Sequence, residues 1–167
     1  MAKVILICGL PGSGKSTLAE ELAKTLGLPL FSKDKLEASI VEHGALRTEL
    51  LNGIGYTLLK NLVDEHLERQ SSVIVDFIAD KNRVNELWPD LLTKELIAIE
   101  CICSDKAEHK RRIESRKRNI KGWYELSWVD VVEISTKYTP LISSRLILDT
   151  IQSKSVLLEE TLSYVSN

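Results

Sequence analysis

A glycine-rich stretch near the start of the chain has the residue types and spacing of a phosphate-binding loop. Residues 9–17 read Gly-Leu-Pro-Gly-Ser-Gly-Lys-Ser-Thr, which satisfies the pattern G-x-x-x-x-G-K-[ST]. Its three glycines let the backbone bring N–H groups close to phosphate oxygens without a side chain in the way. Lys15 would reach the β- and γ-phosphates, and the Ser16 hydroxyl would ligate Mg²⁺. The stretch therefore predicts that the chain binds a nucleoside triphosphate.

The sequence on either side supplies the local structure that such a loop requires. Residues 3–8 form a short β-branched apolar run, which is typical of a buried strand. After the loop, leucines recur at four-residue steps, as on one face of a helix whose positive end would point at the phosphates. Strand, glycine-rich turn and helix in this order are the expected context of the motif. The predicted nucleotide contacts here are Gly9, Pro11, Gly12, Ser13, Gly14, Lys15, Ser16 and Thr17.

A second buried strand is predicted to deliver a carboxylate to the same site. Residues 72–77 read Ser-Val-Ile-Val-Asp-Phe, an apolar run that ends in Asp76. Ligands bind at the carboxyl edge of doubly wound parallel sheets, so Asp76 would lie beside the loop. We predict that Asp76 holds Mg²⁺ together with Ser16, usually through water. The alternative is that Asp76 caps the helix that follows.

A strongly basic helix is predicted to begin at Asp105. Arg112 and Arg116 are four residues apart on it and would share one face. A basic run is usually a solvated surface, but phosphoryl transfer needs cations over the developing charge, so we favour a functional role. Residues 119–123 have the composition of a loop that could close over the nucleotide.

Length, charge and cysteine content limit the remaining possibilities. The chain has 167 residues and a net charge of −2, which favours one domain and argues against nucleic-acid binding through overall charge. No apolar run approaches the roughly 20 residues of a membrane span, so no membrane association is expected. The three cysteines, Cys8, Cys101 and Cys103, lack metal-ligand spacing and are interpreted as core residues in a reducing compartment. We expect a cytoplasmic protein.

The alternation of strands and helices predicts an α/β fold. Five apolar strands separated by helices indicate a three-layer P-loop NTPase architecture, with a five-stranded, mostly parallel sheet flanked by helices. We predict a single domain over residues 1–167, with a small helical lid over about residues 105–124.

With these residues in place, the chain resembles the P-loop kinases of the polynucleotide-kinase, chloramphenicol-phosphotransferase and zeta-toxin group, which are often described as AAA-type ATP-binding proteins. The resemblance implies that Asp34, which follows a short strand, is the general base for an acceptor hydroxyl. It implies that Arg112 and Arg116 contact the nucleotide and neutralise the transferring phosphoryl group. It places Asp149, in the late Asp-Thr pair, next to the adenine. Catalytic roles are thus expected for Lys15, Asp34, Arg112 and Arg116.

The predicted function is an ATP- and Mg²⁺-dependent kinase that phosphorylates a hydroxyl of a small-molecule acceptor. Two alternatives stay open: a kinase for a nucleotide or polynucleotide 5′-hydroxyl, and a P-loop ATPase or nucleotide switch without a second substrate. A polynucleotide acceptor is not favoured, because Glu37 stands where polynucleotide kinases commonly carry a phosphate-binding arginine, and a negative charge there would repel nucleic acid. The sequence does not indicate the oligomeric state.

Overall fold

The computed structural model describes residues 2–44, 53–89, 96–118, 122–140 and 144–166. Within these ranges each strand is followed by one or two helices. The elements are β1 Val4–Cys8, α1 Lys15–Leu26, β2 Leu30–Ser32, α2 Lys33–Glu42, α3 Ile54–Glu68, β3 Val73–Asp76, α4 Lys81–Leu87, β4 Leu96–Ile102, α5 Lys106–Ser115, α6 Trp128–Lys137, β5 Arg145–Asp149 and α7 Lys154–Ser166.

The described strands form one five-stranded sheet in the order β2-β3-β1-β4-β5, and every neighbouring pair is parallel. The predicted α/β fold with a five-stranded parallel sheet is therefore confirmed. Strand β1 lies at the centre, where Ile7 is paired with Asp76 of β3 and Cys8 with Glu100 of β4. This register brings Asp76 to the carboxyl edge of the sheet, next to the residues that follow β1.

Apolar side chains cover both faces of the sheet, as a parallel sheet requires. Along β1, Val4, Leu6 and Cys8 belong to one core cluster, which includes Leu59 and Val63 of α3. Ile5 and Ile7 belong to the other cluster, which is completed by residues of α1 and α7, among them Leu18, Leu22 and Leu157. Helices on both faces give the predicted three layers. Among the described residues, no helix is both long enough and apolar enough to cross a membrane.

The region after α5 differs from the prediction in one respect. Helix α5 ends at Ser115, and Arg116 follows it with extended backbone angles (φ −72°, ψ 128°). Arg112 and Arg116 therefore do not share one helical face, because the helix ends between them. We call residues 116–118 and 122–125 the lid segment; residues 119–121 of the predicted closing loop lie outside the described residues. The prediction of a single domain over residues 1–167 stays a prediction.

Candidate active site

The loop between β1 and α1 is tightly packed, and a side chain at Gly9 would collide with backbone. Gly9 has a φ of 137°, and a Cβ on it would lie 2.2 Å from the carbonyl oxygen of Cys101. A Cβ on Gly12 (φ 79°) would lie 2.7 Å from Cδ1 of Ile113. Gly14 precedes α1 as its N-cap in the left-handed region. Local backbone freedom thus lets the loop fit between β4 and α5 while it turns toward the helix N-terminus.

Two residues far along the chain, His109 and Thr150, form hydrogen bonds to backbone carbonyl groups of the loop. The Thr150 hydroxyl is 2.7 Å from the carbonyl oxygen of Ser13 and 3.0 Å from that of Ile102. His109 is buried and donates from Nε2 to the carbonyl oxygen of Pro11 over 2.7 Å. Sequence reasoning did not single out either residue for this role, since each acts through a contact that only the tertiary fold creates.

A cavity of about 230 Å³, which we call the phosphate cavity, lies in front of the loop and brings together most of the predicted phosphate contacts. Lys15 lines it and is only 6% exposed. Arg112 donates to the side-chain and carbonyl oxygens of Thr150 (2.8 and 2.9 Å) and to Glu108 (2.8 Å). Arg116 reaches the same cavity from the lid segment. The lining residues are Gly12, Gly14, Lys15, Ser16, Thr17, Arg112 and Arg116.

A neighbouring cavity of about 270 Å³ lies between α1 and α7. Leu18 and Leu157 give it apolar walls, and Gln152 and Lys154 add polar groups, a mixture that suits a nucleoside. Asp149, which was predicted to lie beside the adenine, is not among its lining residues. The Asp149 carboxylate accepts instead from the backbone N–H groups of Ser104 (3.1 Å) and Ile151 (3.4 Å). Thr150, the next residue, reaches the cavity.

Asp76 has the features of a metal-binding carboxylate. Its side chain is buried, and its Oδ2 atom accepts from the hydroxyl of Ser32 over 3.2 Å. Within the described part of the chain, its buried Oδ1 atom has no hydrogen-bond partner. A buried carboxylate oxygen without a partner is costly, and a divalent cation or its bound water would relieve that cost. Asp76 thus fits Mg²⁺, and Ser16, which lines the cavity in front of the loop, would supply a second oxygen, with phosphate oxygens and water as the remaining ligands.

A third cavity, of about 420 Å³, adjoins the phosphate cavity and contains Asp34. Asp34 lies in the first turn of α2, and its Oδ2 atom accepts from Nη1 of Arg118 over 2.9 Å. Ser16 and Arg116 line both this cavity and the phosphate cavity. The lining residues are Ser16, Glu20, Ser32, Asp34, Lys35, Ala38, Ser39, Glu42, Arg116 and Arg118. We call it the acceptor cavity.

The charges around Asp34 keep its carboxyl ionised. Burial alone would raise the pKa of this carboxyl, but nearby positive charges outweigh burial and hold the pKa below its ordinary value of 3.8. These charges belong to Lys15, Arg118 and Lys33. At neutral pH Asp34 is therefore a carboxylate that can accept a hydrogen bond from a hydroxyl.

Glu37 does not occupy the position that the sequence suggested. It is 7% exposed, its Oε1 atom is 2.6 Å from Nζ of Lys33, and a Cβ on Gly55 would lie 2.3 Å from the same oxygen. Glu37 is not among the residues that line the acceptor cavity. The expected repulsion of a nucleic-acid phosphate by Glu37 is wrong, because Lys33 neutralises that carboxylate away from the cavity.

Comparison with solved structures identifies the fold as that of known P-loop kinases. A sugar kinase from Janibacter sp. HTCC2649 superposes with a TM-score of 0.73 at 17% identity, over 99% of this chain and 95% of that one. A gluconokinase from Sinorhizobium meliloti 1021 gives a TM-score of 0.67 at 16% identity, over 99% and 91% of the two chains. At these identities the likeness shows the fold alone, a kinase-like P-loop fold.

Sequence comparison gives the family. A protein of Sulfurisphaera tokodaii named "Putative adenylate kinase" is 32% identical over 126 residues, which are 74% of this chain; the chain spans 57% of that relative's length. Residues 4–123 match a family described as AAA domain. This match includes the phosphate-binding loop, Asp34, Asp76 and the start of the lid segment. The chain belongs to the AAA domain family.

Proposed function

We propose that this protein is an ATP- and Mg²⁺-dependent kinase that transfers the γ-phosphate to a hydroxyl of a small-molecule acceptor. The observation that carries this proposal is that Ser16 and Arg116 line both the phosphate cavity and the acceptor cavity, which contains Asp34. An enzyme that only hydrolyses ATP needs room for one attacking water molecule and no second cavity of this size. A phosphotransferase needs one directly beside the γ-phosphate.

Each predicted residue has a defined task in this reaction. Lys15 and the loop N–H groups bind the β- and γ-phosphates, and Arg112 and Arg116 stabilise the negative charge on the transferring group. Ser16 and Asp76 would hold Mg²⁺, which offsets the charge of the phosphate oxygens when bound. These contacts fix the γ-phosphate where the two cavities meet.

Asp34 acts on the acceptor. Its ionised carboxylate accepts the hydrogen bond of the acceptor hydroxyl and aims the oxygen at the γ-phosphorus. As the new O–P bond forms, the bond to the β–γ bridging oxygen breaks and ADP leaves. The hydroxyl proton passes to Asp34, which then releases it to solvent. Because the pKa of Asp34 is low, we infer that the proton transfers late, when the acceptor oxygen has become acidic.

The names of the similar proteins support a small acceptor and leave its class open. Two solved structures of this fold are named for sugar or gluconate phosphorylation, and the resemblance to the polynucleotide-kinase, chloramphenicol-phosphotransferase and zeta-toxin group forms part of this proposal. The relative named as an adenylate kinase favours a second candidate, a nucleotide acceptor. A phosphate acceptor has no hydroxyl proton to lose, so the carboxylate of Asp34 in the acceptor cavity favours an alcohol. A 5′-hydroxyl of a nucleoside or polynucleotide fits that requirement as well.

An acceptor screen tests the proposal. Purified protein is incubated with Mg²⁺-ATP and, one at a time, gluconate, hexoses, aminoglycosides, nucleosides, AMP and a 5′-hydroxyl oligonucleotide. ADP release is read against a blank without acceptor. We expect one hydroxyl class to raise ADP release well above the blank, and D34N to lose that increase. ADP release that is the same with and without every acceptor would instead favour the ATPase or switch alternative.

A further inference from the structure

The described residues of the lid segment contact α2, the helix that forms one wall of the acceptor cavity, at two places. At the start of α2, Arg118 donates to Asp34 over 2.9 Å. Two turns later, Gly122 comes so close to Val41 that a Cβ on Gly122 would lie 3.1 Å from Cγ1 of Val41. The two contacts are seven residues apart on α2, about 10 Å along a helix axis. The lid segment therefore contacts the acceptor wall at two points that are two helical turns apart.

The Arg118 side chain is aimed at Asp34 by its own surroundings. It is 12% exposed, and its guanidinium lies over the ring of Trp123, 5.6 Å from the centroid. Its backbone N–H donates to Oε1 of Glu125 over 2.5 Å, and its Nε atom is 3.9 Å from Oε2 of the same residue. Burial and the ring contact restrict the guanidinium, which presents Nη1 to Asp34, while its buried Nε atom has no hydrogen-bond partner among the described residues.

The contact uses one oxygen of Asp34 and leaves the other available. Oδ2 accepts from Arg118, and no hydrogen bond to Oδ1 occurs among the residues that the structure describes. The Asp34 side chain is still 43% exposed although Arg118 covers one side of it. A hydroxyl acceptor requires a carboxylate oxygen without a competing partner, and Asp34 lines the acceptor cavity.

We propose that Arg118 is a positioning residue, which holds Oδ2 of Asp34 so that Oδ1 faces the acceptor hydroxyl and which links the lid segment to the acceptor wall. This inference rests on the proposed kinase function. It assigns to Arg118 a task different from that of Arg112 and Arg116. Arg118 lines the acceptor cavity and is absent from the lining of the phosphate cavity and of the cavity between α1 and α7.

The test compares R118Q and R118K with K117Q, a matched control at the neighbouring exposed residue. Affinity is measured with a fluorescent ATP analogue, and kcat and KM are measured with the acceptor found in the screen. We expect R118Q to lower kcat about 10- to 100-fold, the usual effect of a misplaced reacting group, with ATP affinity unchanged. R118K should recover part of the loss, and K117Q should behave as the wild type. An unchanged kcat, or a parallel loss of ATP affinity in R118Q, would overturn the assignment.

A second readout needs no acceptor and separates this inference from the proposed function. The Asp34 carboxylate is followed against pH by carbon NMR in aspartate-labelled protein, and its signal is identified by its absence in D34N. The charged groups near it are Lys15 of α1, Lys33 of α2, and Arg116 and Arg118 of the lid segment. In R118Q we expect the titration midpoint to rise toward the ordinary value of an aspartate, since one of these cations is gone. A midpoint that does not move contradicts the inference even if the protein is a kinase. If no acceptor is phosphorylated but the midpoint rises, the pairing stands and the proposed function fails.

Discussion

Asp34 stays ionised because cations surround it, and its side chain is still 43% exposed. A carboxylate with both properties is unusual for a residue with only a structural task, since a helix cap needs neither a buried lysine nor an arginine from a distant segment beside it. Asp76 shows the opposite combination, full burial with one oxygen unpartnered among the described residues, which suits a cation rather than an acceptor. In the proposed site Asp34 would therefore act on the acceptor, and Asp76 would hold the cation.

Replacing the Asp34 carboxylate should separate binding from transfer. In D34N we expect ATP affinity to be largely kept and acceptor phosphorylation to fall by roughly 10²–10⁴, the usual contribution of a general base. Steady-state kinetics with the identified acceptor and a binding titration with a fluorescent ATP analogue would show both effects. The control is E159Q, which removes an exposed carboxylate on α7. A D34N protein that transfers normally would reduce Asp34 to a first-turn acid of α2.

The pairing of Asp34 should also appear in the pH dependence of stability. Because the folded-state pKa of Asp34 lies below 3.8, its ionised form stabilises the folded protein at higher pH. The difference in unfolding free energy between wild type and D34N should be constant from about pH 7 to 5. It should shrink as the pH falls past 3.8 and vanish below the lowered pKa. Urea unfolding at a series of pH values measures this difference, and a difference that grows on acidification would contradict the assigned pKa direction.

At the scale of elements, the phosphate-binding loop depends on parts of the chain more than 90 residues away. Helix α5 supplies His109 and Ile113, which pack on the loop from one side. The end of β5 supplies Thr150, whose hydroxyl is bonded both to the loop and to Arg112. Arg112, one of the two arginines that line the phosphate cavity, is therefore bonded to the same residue that holds the loop.

The close contact between the loop and β4 predicts a large effect at Gly9. G9A should lower the free energy of unfolding by about 2–5 kcal/mol, because the new Cβ meets the Cys101 carbonyl in addition to the strain of a positive φ. G27A is the matched control: Gly27 also has a positive φ, of 64°, but a Cβ there would meet nothing within 4 Å. For G27A we expect roughly 1–2 kcal/mol. Chemical denaturation measures both, and equal losses would mean that the contact with β4 is not limiting.

A second prediction at the scale of elements concerns the loss of the Thr150 hydroxyl. T150V should lower stability by about 1–3 kcal/mol and weaken ATP binding, because it leaves buried groups of the loop and of Arg112 without their partner. T150S keeps the hydroxyl and should keep ATP affinity. Thermal unfolding and a nucleotide titration distinguish the two variants. If T150V binds ATP as tightly as T150S, the hydrogen bonds are not what positions the loop.

The sequence predicted the elements well because their signals are local. The apolar runs of β1 and β3, the leucine spacing of α1 and the loop motif each lie within about a dozen residues, and the resulting α/β fold is confirmed. Tertiary contacts were not predictable in the same way. The charge of Glu37 is cancelled by Lys33, and no local pattern shows which way either side chain turns. Likewise, no local pattern shows that helix α5 ends before Arg116. Nor does any local pattern show that Arg118, rather than Arg112 or Arg116, forms the ion pair with Asp34.

At the scale of the whole molecule, the parallel sheet gathers residues that are scattered along the chain. Strands β1, β2 and β3 lie side by side and run in the same direction, so the residues that follow them meet at one edge. The phosphate-binding loop, Asp34 and Asp76 come together there, and Arg116 and Arg118 of the lid segment line the cavities beside them. The result is two cavities that share Ser16 and Arg116 as a common wall.

The measurement that tests this account most directly is phosphorus NMR of a reaction that contains the protein, Mg²⁺-ATP and the acceptor that raises ADP release. The two adjoining cavities predict that the γ-phosphate signal is replaced by that of a phosphomonoester of the acceptor, with little inorganic phosphate, and that D34N forms this ester far more slowly. If ATP is consumed and inorganic phosphate is the only new phosphorus species besides ADP, the phosphate has gone to water, and the claim that the acceptor cavity serves a kinase is wrong.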